Sequence, residues 1–210
     1  MTTKLLPMET RIAKIISYIF HPVFIPTFFI IILFFMHFGV LYLIPLWGKL
    51  LLVGMVFLFT AIFPMTFAYI FLKKGWIKSP EMDTKEERIY PLLLTAFFYY
   101  LSFYLLRQIH WSPIIPVFMF GALCSNVVLL IINFFWKISI HCIAMGGLLG
   151  AYIGIAYNYN LNISYLISAV ILLCGLVGFA RLKSNSHKPA QIYAGFLTGV
   201  VVMFGIFLLL

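Results

Sequence analysis

The chain has 210 residues, 64% of them hydrophobic and only 9% charged, with a mean hydropathy of +1.12. Ordinary soluble domains carry about 25% charged residues, so a water-soluble enzyme or a soluble nucleic-acid-binding module is excluded. The net charge of +9 sits in short stretches between apolar runs, a pattern of membrane topology, anionic head groups or a phosphorylated ligand rather than of a duplex partner.

Apolar runs of about 20 residues recur throughout, the length an α-helix needs to cross a hydrocarbon layer of roughly 30 Å. A barrel would instead need short alternating segments, and only helices satisfy their own backbone groups in lipid. The expected fold is therefore all-α: one polytopic membrane helix bundle over residues 1–210. Residues 1–18 carry scattered charges at Lys4, Glu9, Arg11 and Lys14, unlike a secretory signal, and are expected to lie at the membrane surface. Seven spans follow at 23–46, 50–72, 91–109, 113–135, 142–157, 163–180 and 192–210. Trp47, Trp76, Trp111 and Trp136 then fall at span ends, where amphipathic rings belong. Pro26, Pro64 and Pro116 are expected to kink the helices that contain them. Gly146, Gly150 and Gly154 in the fifth span, with Gly195 and Gly199 in the seventh, permit close helix packing. Cys124, Cys142 and Cys174 sit singly in apolar segments without metal-ligand spacing, and read as packing residues.

With seven crossings, the N-terminal segment and the loops after the second, fourth and sixth spans share one side. Most Lys and Arg residues lie there, which makes that side cytoplasmic by the positive-inside rule. The first of these loops holds Glu81, Asp83, Lys85, Glu86, Glu87 and Arg88; the second runs from Trp136 through Lys137 and Ser139 to His141; the third contains Arg181, Lys183, His187, Lys188 and Gln191. Three polar segments distant in sequence are thus expected to converge on one pocket at the membrane face. His21, His37 and His110 have no such company and read as structural.

Two imidazoles among several cations suit phosphoryl transfer: one histidine attacks phosphorus, the second protonates the leaving oxygen, and Arg or Lys holds the remaining oxygens. In Arg181, His187 and Gln191, followed by Ala194, Gly195 and Gly199, the sequence resembles the third motif of the type 2 phosphatidic acid phosphatase family. Ser139 and His141 resemble its second motif, and Lys85, Arg88 and Pro91 its first at compressed spacing. The resemblance spans roughly residues 85–199 and implies a phosphatase-like helical core and a membrane-bound hydrolase acting on a lipid phosphate or isoprenoid diphosphate, with neither metal nor cofactor. It assigns His187 as nucleophile, His141 as general acid and Arg181 beside them in the catalytic set. Arg88, Lys85, Ser139 and Lys137 would bind phosphate, and Gln191 would orient His187. Three positions depart from the family: Gln191 for an Asp, Ala180 for a Ser and Ile140 for a Gly. Asp83, Glu86 or Glu87 is the candidate for the missing orienting carboxylate. Two alternatives stand beside this reading: a weakly active or inactive relative that binds or transfers a phosphorylated lipid, and a small transporter or channel.

Overall fold

The computed structural model describes residues 8–36, 39–79, 82 and 84–209. Among these, every regular element is helical, and seven helices are long and apolar enough to cross a membrane: Met8–Phe35, Leu46–Lys73, Ile89–Arg107, Ile114–Phe135, Ile140–Asn158, Ser164–Lys183 and Pro189–Phe207. The protein is thus an all-α integral membrane bundle, as composition requires.

The first apolar helix is composite. Its amphipathic opening part, α1 (Met8–Ile19), buries Ala13 and Ser17 and exposes Arg11 and Lys14. The chain turns at His21, passes through a 3-10 turn at Pro22–Phe24 and continues as α2 (Ile25–Phe35). The expected span at 23–46 is therefore displaced towards the N-terminus. Gly39 takes a positive φ of 58° and Pro45 precedes the next helix, so only the four-residue α3 (Val40–Leu43) forms in between. Such backbone cannot continue a helix. The second crossing joins α4 (Leu46–Phe57) to α5 (Phe63–Lys73) through a π-helical stretch at Leu58–Ile62. Pro64 explains it: lacking an N–H, it cannot bond the carbonyl four residues back, and the helix widens to accommodate that. The other two prolines do not kink their helices. Pro26 starts α2, and Pro116 is the third residue of α7 (Ile114–Phe135), where the missing N–H has no intrahelical partner to lose.

The remaining helices are α6 (Ile89–Arg107), α8 (Ile140–Asn158), α9 (Ser164–Lys183) and α10 (Pro189–Phe207). α8 is the buried axis of the bundle, and its glycines explain why it can be. A Cβ at Gly146 would run into the Phe196 carbonyl, one at Gly150 would sit 2.6 Å from the Val200 carbonyl, and one at Gly199 would strike the Ile143 carbonyl. α8 and α10 therefore approach backbone to backbone, as the glycine spacing suggests. Across the bundle, Phe29 of α2 stacks on Phe118 of α7 at 3.8 Å, and the Tyr152 hydroxyl of α8 donates to the Phe29 carbonyl at 3.4 Å. α1 packs along α9, and Lys183 at the end of α9 pairs with Glu9.

The α8–α10 contact makes a stability prediction. Gly199→Ala should lower the thermal midpoint in detergent, with an overpacking cost of roughly 1–3 kcal/mol. Gly175→Ala on α9, where a Cβ meets nothing within 4 Å, should leave the midpoint unchanged.

Candidate functional site

The three polar segments meet. At the start of α10, Pro189 occupies the first turn, and Gln191 reaches back to the backbone N–H of Lys188 at 2.9 Å. The Gln191 backbone carbonyl accepts from the Ser139 N–H at 3.1 Å. Gly195 lets this junction close, because a Cβ there would lie 2.8 Å from the Ser139 carbonyl. From the loop before α6, Arg88 reaches into the same place: its Nη1 donates to the Ile138 carbonyl at 3.1 Å and its Nε to the Met82 carbonyl at 3.1 Å. Arg88 is only 3% exposed. It ties the first loop to the linker between α7 and α8, which is itself tied to the start of α10.

His187 sits at this junction, 8% exposed. Its Nδ1 lies 3.2 Å from Gln191 Oε1, which also accepts from Lys188 N–H. An amide oxygen only accepts, so Nδ1 carries the hydrogen and Nε2 holds the lone pair. Burial, followed by the charges of Arg88 and Arg181, pushes the His187 imidazole down to about 3. It is therefore neutral at ordinary pH, with the lone pair available to attack an electrophile.

His141 lies in the first turn of α8. Its Nε2–H donates to the Ser17 carbonyl of α1 at 3.2 Å, which leaves Nδ1 as the nitrogen that can exchange a proton. Arg181, in the last turn of α9, acts electrostatically on both His141 and His187, and Lys137 acts on His187.

Other residues have structural occupations. Lys85 Nζ donates to the Phe134 carbonyl at the end of α7 at 2.9 Å, and the Lys85 carbonyl accepts from Asn133 at 2.7 Å. Lys85 thus closes the C-terminus of α7, where a cation is favoured. Ser139 is fully buried and caps α8, its hydroxyl oxygen accepting from Cys142 N–H at 3.4 Å. Among the alternative carboxylates, Asp83 lies outside the described residues, as do His37 and Glu81.

His21 stands alone in the sequence, and the fold gives it company. The His21 and His141 rings meet edge to face with centroids 5.3 Å apart, and Arg181 acts on His21 as well. The sequence signal for it is a histidine directly before Pro22, where the chain turns after α1.

No family model, curated protein or solved structure matches the chain.

The depressed His187 makes a pH prediction. A histidine whose folded value lies below its unfolded value of about 6.5 stabilises the fold above that pH, and the contribution is lost as pH falls towards 3. The melting midpoint should drop as pH falls from 7 to 4, and His187→Gln should flatten that fall.

Proposed function

We propose that this protein is a membrane-bound phosphatase that removes phosphate from a lipid phosphate or diphosphate through a phosphohistidine intermediate. The observation that carries the proposal is the orientation of His187: Gln191 holds its Nδ1–H, so a neutral Nε2 lone pair stands beside Arg88, Arg181 and Lys137. A tetrahedral anion is drawn by that concentration of cationic charge, and phosphoryl transfer needs positioning and charge stabilisation above all.

In the first step, His187 Nε2 forms a bond to phosphorus as the bond from phosphorus to the lipid oxygen breaks. The electron pair leaves with that oxygen, which is protonated through His141 Nδ1 with the proton carried by the substrate's own phosphate hydroxyl. In the second step, a water oxygen attacks phosphorus while His141 Nδ1 takes the water's proton. The phosphorus–nitrogen bond breaks, its electron pair returns to His187, and inorganic phosphate departs. The carbonyl of Ser17 holds His141 in the orientation both steps use. Arg88 acts from within the wall, fixing the loops and adding its charge, and the charge of Arg181 reaches both imidazoles. The resemblance of residues 85–199 to the type 2 phosphatidic acid phosphatases supports the same roles. The lysine- and arginine-rich loops support a cytoplasmic placement of the site in a bacterial inner membrane.

A second reading has its own support. Gln191 is neutral, so it orients His187 without stabilising the imidazolium-like charge that grows on it during attack. That favours a protein that binds or carries a phosphorylated lipid with little turnover.

Vanadate, which adopts the five-coordinate geometry of the phosphoryl transition state, separates the two. The purified protein should release phosphate from a lipid phosphate or diphosphate and be inhibited by vanadate, and His187→Ala should lower the rate at least about a thousandfold, as loss of a nucleophile does. Ligand binding without phosphate release would select the carrier reading. An active His187→Ala variant would end the phosphohistidine mechanism.

A further inference from the structure

The end of the bundle remote from His187 holds a groove between the last turn of α6, the start of α7 and the end of α10. The cavity measures about 530 Å³, within the range of roughly 300–1,000 Å³ usual for ligand sites. Phe103 of α6 and Phe120 of α7 pack ring against ring at 5.2 Å in its wall, and Ile206 of α10 faces them with aliphatic surface. The polar members of the lining are Arg107, His110 and Ser112, all in the last turn of α6 or the loop that follows it. Phe120 lies six residues beyond the first residue of α7, about 9 Å deeper at 1.5 Å per residue. The groove is thus polar at its mouth and apolar below.

Its depth follows from the tryptophans. Trp111, in the same loop, packs edge to face on Trp47 at the start of α4, with ring centroids 5.4 Å apart, and such rings favour the head-group level of a bilayer. Of the 14 Lys and Arg residues, Lys49 and Arg107 alone belong to segments at this end. The Lys49 ammonium is committed to the face of the Phe34 ring at 5.7 Å. Arg107 is exposed and makes no hydrogen bond, ion pair or ring contact among the described residues. The dipole of α6 favours a cation in its last turn, which accounts for the charge and leaves the groove beneath it unexplained. No acidic side chain of this chain can serve as the counter-ion, because Glu9 lies on α1 and Glu81, Asp83, Glu86 and Glu87 lie in the segment before α6, at the opposite end. A second copy in the same orientation brings none either.

We propose that this groove binds an anionic phospholipid of the leaflet opposite the His187 site, with its phosphate at Arg107 and one acyl chain between Phe103, Phe120 and Ile206. A guanidinium can hold two phosphate oxygens in parallel. His110 offers a ring N–H in either protonation state. The Ser112 hydroxyl oxygen accepts from the Ile114 N–H at 3.3 Å, which leaves its hydrogen to donate. Basic pockets between transmembrane helices suit lipid head groups. The apolar walls select a lipid over a free anion, since only an acyl chain gains from burial against them. The bound lipid bridges α6, α7 and α10 at the end remote from His187, and its site is independent of the chemistry proposed there.

The test follows tryptophan emission from the full chain in phosphatidylcholine nanodiscs, carrying Trp76→Phe and Trp136→Phe so that Trp47 and Trp111, both at this end, are the reporters. Phosphatidylglycerol or phosphatidylcholine with brominated chains is mixed in as the quencher. Phosphatidylglycerol should reach half-quenching at a mole fraction at least about tenfold lower than phosphatidylcholine. Arg107→Gln should abolish that preference, and Arg107→Lys, which keeps the charge, should stay within about threefold of the parent. Lys49→Gln, which removes the other cation of this end, should leave the preference unchanged. In the chain with all four tryptophans, native mass spectrometry should find less phosphatidylglycerol retained by Arg107→Gln than by the wild type, with phosphatidylcholine equal on both, and this measurement stands if the tryptophan replacements misfold. Equal quenching by the two lipids, an unchanged preference in Arg107→Gln, or the same loss in Lys49→Gln would overturn the lipid site.

Discussion

The close approach of α8 and α10 is the constraint on which the rest depends. Glycines on both helices bring backbone against backbone, so that carbonyls of one helix occupy the space side chains would fill on the other. In a bilayer there is no difference in hydrophobicity between lipid tails and apolar side chains to drive helices together, and dispersion at short range must supply the association. The two helices enter the bundle at the same end. Wherever they are pressed together, the segments leading into them, around Ser139 and around Gln191, are pressed together as well. The Ser139 N–H bond to the Gln191 carbonyl is the consequence.

From that junction the polar site follows in order. Gln191 faces His187 because its amide oxygen is already committed to the Lys188 N–H, and that commitment fixes which ring nitrogen of His187 carries hydrogen. Arg88 is buried because its guanidinium fastens the first loop to the linker before α8, and its charge then falls on His187. The same group serves as structural bolt and as part of the field. Lys85 does not share this double role, since its ammonium closes the end of α7 instead. Cationic side chains that look alike in the sequence are thus sorted by which carbonyl lies within reach.

The first helix alters the picture drawn from motifs alone. A site built only from the loops before α6, α8 and α10 would leave His141 with an open flank. α1 covers that flank, takes the Nε2 hydrogen of His141 on the Ser17 carbonyl and sets His21 against its ring. Its amphipathic face and its Glu9–Lys183 pair with α9 hold it in place. The least motif-like stretch of the chain therefore borders the most polar part of the fold.

Much of this was legible in the residues. Composition and run length establish a helical membrane bundle, because backbone groups in lipid leave no other economical choice. Glycines at four-residue spacing announce close packing, and the alternation of successive crossings places the three polar loops on one side. Helix ends were less legible where they depended on backbone geometry: the positive φ of Gly39 helped displace the first crossing, and Pro26 and Pro116 fell in the first turns of their helices, where they form no kink. What only the tertiary structure decided was which polar groups meet. Hydrogen bonds between Arg88 and Ile138, His187 and Gln191, or His141 and Ser17 act over about 3 Å. In the sequence the outermost of these partners are 124 residues apart, and no local pattern of side chains encodes a contact that only the packing of other helices brings about.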